Sequence, residues 1–259
     1  MSSDHQDLKQ EEIDRYRERS REGRSLTGMI DSDAWRALRA AAQGGRFDQV
    51  CLDHFSTDVD VLSIGCGEAE TLRRYSHPNR SGELVGVDIS TEEMLRGRQG
   101  STEAVELITA DAEELPFADA TFDVIVAATC LHHLPDWQHA ILREVRRVLA
   151  SSGVFIFSDP LLYNPLSFAA RHVLETRDRS DAEVPLNPFT LRRTLESSFE
   201  TVHLDWFYLV SPAVAMMDKY VPFSPGRVAV GMHRVEQILF EKGLYPLAGS
   251  VVGVAESPR

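Results

Sequence analysis

Five short apolar runs, rich in β-branched residues, recur through the first part of the chain: VDVLSI (59–64), ELVGVD (83–88), AVELIT (104–109), FDVIVAA (122–128) and GVFIFS (153–158). They are nearly continuous in apolar residues rather than alternating, the pattern of strands covered on both faces. Segments of helical length separate them. The clearest is PDWQHAILREVRRVLA (135–150), where Trp137, Ile141, Val145, Val148 and Leu149 share one helical stripe and Pro135 suits the first turn. Ser151-Ser152-Gly153 then reads as the end of that helix. Strands alternating with helices in this way predict an α/β protein with a parallel, doubly wound sheet.

Beyond residue 158 the pattern changes. Residues 159–188 are punctuated by proline and read as an inserted segment with one helix near 165–176. A helix over 191–199 and a strand over 200–210 follow. Residues 211–243 form a second elaboration with a helix around 227–242, and 248–257 reads as a closing strand. No repeat or long linker interrupts the chain, so 1–259 is expected to be a single domain. It divides into an N-terminal helical cap (1–45), a ligand-binding core (46–160), insertions at 161–190 and 211–243, and closing strands at 200–210 and 248–257. The charged segment 6–24, with Leu8, Ile13 and Tyr16 as its apolar edge, is either a solvated helix or a cap that folds over the pocket and brings Tyr16 to it.

Composition narrows the function. At 259 residues and 43% hydrophobic the chain can bury a substantial core, and a net charge of −13 argues against a broad grip on nucleic acid. No apolar run approaches the roughly 20 residues of a membrane span. The charged N-terminus lacks a signal core, which predicts a cytoplasmic protein. Cys51, Cys66 and Cys130 are scattered without metal-ligand spacing, so reduced thiols and no metal site are expected.

In an open parallel sheet, ligands bind beyond the carboxyl ends of the strands, so the residues that follow each strand carry the chemistry. After the first comes Gly65-Cys66-Gly67, where glycine permits positive φ and lets a ligand lie against backbone. A dinucleotide fingerprint would want a further glycine where Glu70 stands. After the second comes Asp88, placed to accept hydrogen bonds from ribose hydroxyls, followed by Ser90 and Glu93 as a capping box. After the third comes Asp111-Ala112, an acid and a backbone amide suited to an adenine edge. After the fourth, residues 127–136 can line the opposite end of the ligand.

VLSIGCGEAE, LVGVDIS with Met94, ITADAEELPF, FDVIVAATCLHHLPD and REVRRVLASSGVFIFSDP resemble the successive motifs of the class I S-adenosylmethionine-dependent methyltransferases, especially the bacterial small-molecule branch of the methyltransferase type 11 kind. The resemblance covers roughly 59–160. It implies a Rossmann-like, doubly wound, seven-stranded sheet of order 3-2-1-4-5-7-6 with strand 7 antiparallel, and helical insertions around it. It also implies S-adenosyl-L-methionine as cofactor. Gly65, Cys66 and Gly67 would then contact the methionine part and Asp88 the ribose. Ile89 and Met94 would pack on the adenine, Asp111 and Ala112 would read its edge, and Thr129 would line the methionyl side. The chain departs from the family at Ser63, where an acid is usual, and at Ala69, where glycine is usual.

The reaction implied is transfer of a methyl group to oxygen or nitrogen of a small-molecule acceptor. His132 and His133 are the candidate bases; in an extended segment neighbouring side chains diverge, so one at most would face the pocket. Tyr163, Phe168, Met216, Met217, Tyr220 and Phe223 in the insertions would wall a hydrophobic acceptor pocket or form a homo-oligomer interface. The competing readings are a cofactor-binding scaffold without activity, suggested by Ser63 and Ala69, and a nicotinamide-dependent oxidoreductase, which Glu70 argues against.

Overall fold

A computed structural model describes residues 10, 14, 32–98, 105–134, 136–173, 183–217 and 225–259. The apolar runs form strands β1 (Val61–Ile64), β2 (Leu84–Asp88), β3 (Glu106–Thr109), β4 (Phe122–Ala128) and β5 (Leu149–Pro160). The last two strands are β6 (Phe199–Phe207) and β7 (Ser250–Pro258). They make one sheet of order β3-β2-β1-β4-β5-β7-β6, with β7 antiparallel to both its neighbours. This is the order that the resemblance to the class I methyltransferases implies.

Continuous apolar character follows from burial on both faces. Along β4, Ile125 and Ala127 join one core while Val124 and Val126 join the other. On the second face lie α1 (Asp33–Ala41) and α2 (Gln43–His54), whose Ala34, Leu38, Val50 and Cys51 are buried against the strands. Ser32 caps α1 by accepting from the Trp35 amide at 3.2 Å. Burial raises the Cys51 thiol to about 12, so it stays protonated. Of the residues 1–45 expected to form a cap, the described part carries α1 and the start of α2, which runs on to His54. Segment 6–24 is described only at Gln10 and Asp14, and Tyr16 lies outside the described residues.

The helix expected over 135–150 is divided. A π-helical turn (Trp137–Ile141) leads into α5 (Leu142–Val148), and Leu149 already belongs to β5, paired with Phe122. The α5 carbonyls at Arg147 and Val148 are taken by the amides of Ala120 and Thr121, both at 2.8 Å, which ends the helix. Ser151-Ser152-Gly153 does not end a helix. It lies in β5, where the register moves from Phe122↔Leu149 to Val124↔Val154. The remaining helices of the first half are α3 (Glu70–Arg74) and α4 (Thr91–Arg98).

The first insertion carries α6 (Pro165–Val173) and returns to β5 through a parallel bridge, Leu161↔Leu186, before α7 (Pro188–Ser198). The second carries α8 (Ser211–Met216) and α9 (Pro225–Leu239). From α9, the buried Glu236 accepts from the amides of Val210 and Ser211 at 2.6 and 2.7 Å and from the Ser211 hydroxyl at 2.7 Å. Burial pushes its carboxyl up, but His233 and then these bonds outweigh it and hold the carboxyl down to about 2. A carboxyl lowered on folding adds stability above its unfolded value, near 4.3, and loses it as pH falls toward about 2. Replacing Glu236 with Gln should therefore flatten the fall in melting temperature between about pH 4.5 and 2. An unchanged acid limb would show that this cluster contributes nothing there.

Among the described residues no helix is long and apolar enough to cross a membrane.

Candidate active site

The turn after β1 is built from left-handed residues. Gly65 has φ 62°, Gly67 φ 50° and Ala69 φ 59°. A Cβ on Gly65 would drive into the Cys130 thiol, whereas over Gly67 nothing lies within 4 Å. The first glycine is required by packing and the second leaves open space over its backbone. Ala69 occupies a conformation that costs an L-residue roughly 1–2 kcal/mol. That strain, rather than crowding, is what the departure at this position brings.

Asp88 ends β2 and closes the turn. Its Oδ2 accepts from the Gly67 amide at 2.8 Å and its Oδ1 from the Ser90 amide at 2.8 Å. A carboxylate oxygen can accept more than one hydrogen bond, which suits Asp88 to a ribose hydroxyl. Only half of the expected capping box forms. The Ser90 hydroxyl accepts from the Glu93 amide at 3.3 Å, but the Ser90 amide goes to Asp88 and the Glu93 carboxylate to Arg96. The Cys66 thiol is pushed up by burial and then by the Asp88 charge, so it lines the turn as a neutral group and no nucleophile.

These residues open onto a cavity of about 810 Å³ along the carboxyl ends of the strands. Ser63, Gly65, Cys66, Gly67, Asp88, Ile89, Asp111, Ala112, Thr129 and His133 line it, which brings most of the sequence-predicted site together. Asp111 is held by accepting from the Glu113 amide at 2.9 Å. Thr129 sits at φ 56° with its amide on the Ser158 carbonyl at 2.7 Å.

Two predicted contacts are not in the lining. Met94 is 4% exposed and packs in the core, while its neighbour Glu93 reaches the cavity. His132 turns away: its Nδ1 lies 2.7 Å from Oδ1 of the buried Asp159, which also accepts from the His132 amide at 3.2 Å. His133 faces the cavity instead, its ring 3.9 Å from that of His132 and its Nδ1 3.9 Å from Glu183 Oε1.

Of the insertion residues expected to wall an acceptor pocket, the four described ones do not line this cavity. Tyr163, Phe168, Met216 and Met217 are exposed, and Tyr220 and Phe223 lie outside the described residues. The wall opposite the adenine end is made by Trp35, Gln43 and Phe47 from the cap, Ser158 from β5, and Tyr208 and Ser250 from the sheet's far side. Gln43 Nε2 donates to Ser158 Oγ at 2.6 Å, tying the cap to β5. None of these residues stands out in the sequence. The one signal available was Gln43-Gly44-Gly45, a glycine pair inside a polar stretch.

The arrangement suits a nucleoside joined to an amino acid. Bare backbone at Gly67 and the Asp88 carboxylate at the end of β2 fit a ribose, and Asp111-Ala112 sits where an adenine edge would come. With the 3-2-1-4-5-7-6 sheet, this defines a class I S-adenosylmethionine-dependent methyltransferase fold and its cofactor, S-adenosyl-L-methionine. Residues 62–157, from β1 to β5, match the family described as "Methyltransferase domain".

Among curated proteins it is similar to the 27-O-demethylrifamycin SV methyltransferase of Amycolatopsis mediterranei, 37% identical over 39% of this chain and 39% of that one. It is also similar to the demethylmenaquinone methyltransferase of Bacillus velezensis, 34% identical over 36% and 42%. The chain thus spans about two fifths of the length of these relatives. Among solved structures, a SAM-dependent methyltransferase from Archaeoglobus fulgidus shares the fold at a TM-score of 0.55 and 21% identity, over 86% of this chain and all of that one.

Proposed function

We propose that this chain is a cytoplasmic, single-domain S-adenosyl-L-methionine-dependent methyltransferase acting on oxygen or nitrogen of a small-molecule acceptor. The observation that carries it is the closed turn in which Gly67 and Ser90 donate to Asp88 at a cavity of about 810 Å³. The cofactor supplies a methyl group on a sulfonium, already a strong electrophile. What remains for the chain is to orient the partners and exclude water, which in favourable systems is worth about 7–11 kcal/mol.

His133 is the side chain suited to take a proton from the acceptor, since it lines the cavity and Glu183 stands beside its Nδ1. His132 is suited to positioning: with Asp159 it fixes the short 3₁₀ turn Leu131–His133. Calorimetry should find that S-adenosylhomocysteine binds and NAD does not. In turnover with the true acceptor, His133→Ala should cost about 100-fold in kcat while S-adenosylhomocysteine affinity stays within about twofold. His132→Ala should lower the melting temperature, because it strips the buried Asp159 of its ring partner. Binding of NAD in place of S-adenosylhomocysteine would defeat the proposal, and full turnover by His133→Ala would remove the base.

A further inference from the structure

The corner of the cavity where α2 begins has no role in holding the nucleoside, yet it is unusually rich in unanswered positive character. Ala42 precedes α2 with no side-chain cap. The first amide to donate backward within the helix is that of Arg46, to the Ala42 carbonyl at 2.9 Å, so the amides of Gln43, Gly44 and Gly45 precede the ladder. Gln43 and Gly44 line the cavity. A helix N-terminus carries partial positive charge and ordinarily attracts an acid.

Here a cation lies against it instead. Arg39 folds across the first turn of α2: a Cβ on Gly44 would stand 2.9 Å from its Cγ and 3.3 Å from its Nε. Arg39 also lines the cavity. Carboxylates elsewhere in the lining are committed to other partners. Asp48 and Glu70 take Arg74, at 2.9 and 2.7 Å, and Glu68 and Glu93 take Arg96.

The second observation is independent of the helix. Tyr208 is 6% exposed, lines the same corner, and its hydroxyl has no hydrogen-bond partner. Burial pushes the Tyr208 phenol up, and the Arg39 charge draws it the other way. Tyr208 is held in a strained left-handed conformation, φ 68°. Its carbonyl is clamped by the Gly249 amide at 2.7 Å and Asn164 Nδ2 at 2.9 Å. Strain fixed in this way is characteristic of sites that act on a ligand. Ser250, whose strand position pairs with Phe207, contributes a second buried hydroxyl without a partner. The nearby Glu236 carboxylate is occupied by Val210 and Ser211.

We propose that the uncapped start of α2, with Arg39, Tyr208 and Ser250, receives an acidic oxygen group of the methyl acceptor, so that the substrate is a small acid such as a carboxylate. The inference rests on the methyltransferase reading, which orients the cavity. Asp88 ends β2 on one side of β1, whereas this corner lies at β5 and β7 on the other, beyond the methionine end of the cofactor.

The test is ligand-observed NMR on the full chain saturated with S-adenosylhomocysteine, using benzoate against benzamide and 3-phenylpropanoate against 3-phenylpropanamide. Aromatic carriers suit the Trp35 and Phe47 rings in the lining. Each acid should bind at least tenfold tighter than its amide. Arg39→Gln and Tyr208→Phe should each weaken the acid at least tenfold, Arg39→Lys should retain most of the affinity, and S-adenosylhomocysteine should change less than twofold. Arg39 is exposed, so its variants keep the fold, which melting temperature checks. No preference for acid over amide, including no binding by either, overturns the proposal. So does an equal loss of S-adenosylhomocysteine affinity, which would assign the corner to the cofactor's own carboxylate. Failure of the unmodified chain to bind S-adenosylhomocysteine, read before any acid is added, would instead defeat the methyltransferase reading itself.

Discussion

Replacing Asp88 with Ala is expected to weaken S-adenosylhomocysteine binding by about 100-fold or more, the product of losing two hydrogen bonds to a charged group at roughly 1.5–3 kcal/mol each. The loss is compounded locally. Oδ2 holds the Gly67 amide and Oδ1 the Ser90 amide, so alanine releases the glycine turn and the start of α4 together with the ribose. Asp88→Asn separates the two effects. Its amide oxygen can still accept from one of the amides, so it should keep the melting temperature of the unmodified chain better than alanine does, while losing most of the ribose contribution. Calorimetric titration of the three forms decides. If alanine binds S-adenosylhomocysteine as well as aspartate does, Asp88 is only a structural cap and the ribose is held elsewhere.

The second large effect is on folding. Gly65→Ala combines a left-handed φ with a collision against the Cys130 side chain, whose Cβ would lie only 3.0 Å from the new methyl group. Conformation costs about 1–2 kcal/mol and overpacking about 1–3 kcal/mol, together about 2–5 kcal/mol. In a domain of this size that lowers the melting temperature by roughly 5–15 °C. Gly67→Ala shares the conformational cost but meets nothing within 4 Å, so it should lose only about 1–2 kcal/mol. Pairing Gly65→Ala with Cys130→Ala removes the obstructing sulfur and should recover part of the deficit. Equal melting temperatures for the two single alanine variants would contradict the packing account.

The chain's pattern disclosed the half of the site that backbone builds. β1, β2 and β4 were legible because both their faces are buried, so nearly every residue is apolar and the following glycine or acid marks the strand end. Leu149 was misplaced because an apolar residue after Val148 satisfies a helical stripe and a strand equally well. Only the Leu149–Phe122 pairing, a contact between distant residues, separates the two. Met94 stands where the family motif points to an adenine contact, yet the helix turns it into the core and presents Glu93 to the cavity.

The acceptor corner was not legible at all. Tyr208 follows β6 with no local signature. It reaches the cavity only because β6 lies at the edge of the sheet and β7, running antiparallel, places Ser250 beside Phe207. His132 and His133 were legible as a pair, but which one faces the ligand depends on Asp159, a residue on β5.

The roof over the cavity has a further consequence. The cofactor cradle is made mostly of main chain at the ends of β1 and β2, whereas the opposite wall is made of side chains carried by α1, α2 and the segment after β6. The roof rests on the second insertion: a Cβ added to Gly226, in α9, would stand 3.1 Å from the Ala34 backbone in α1. The two halves can therefore drift apart in evolutionary time. Substitutions at Trp35, Arg39, Phe47 or Tyr208 would retune which molecule is accepted while leaving the donor untouched, and a bulkier residue at 226 would shift the roof as one piece. The chain is built for a change of clientele without a change of currency.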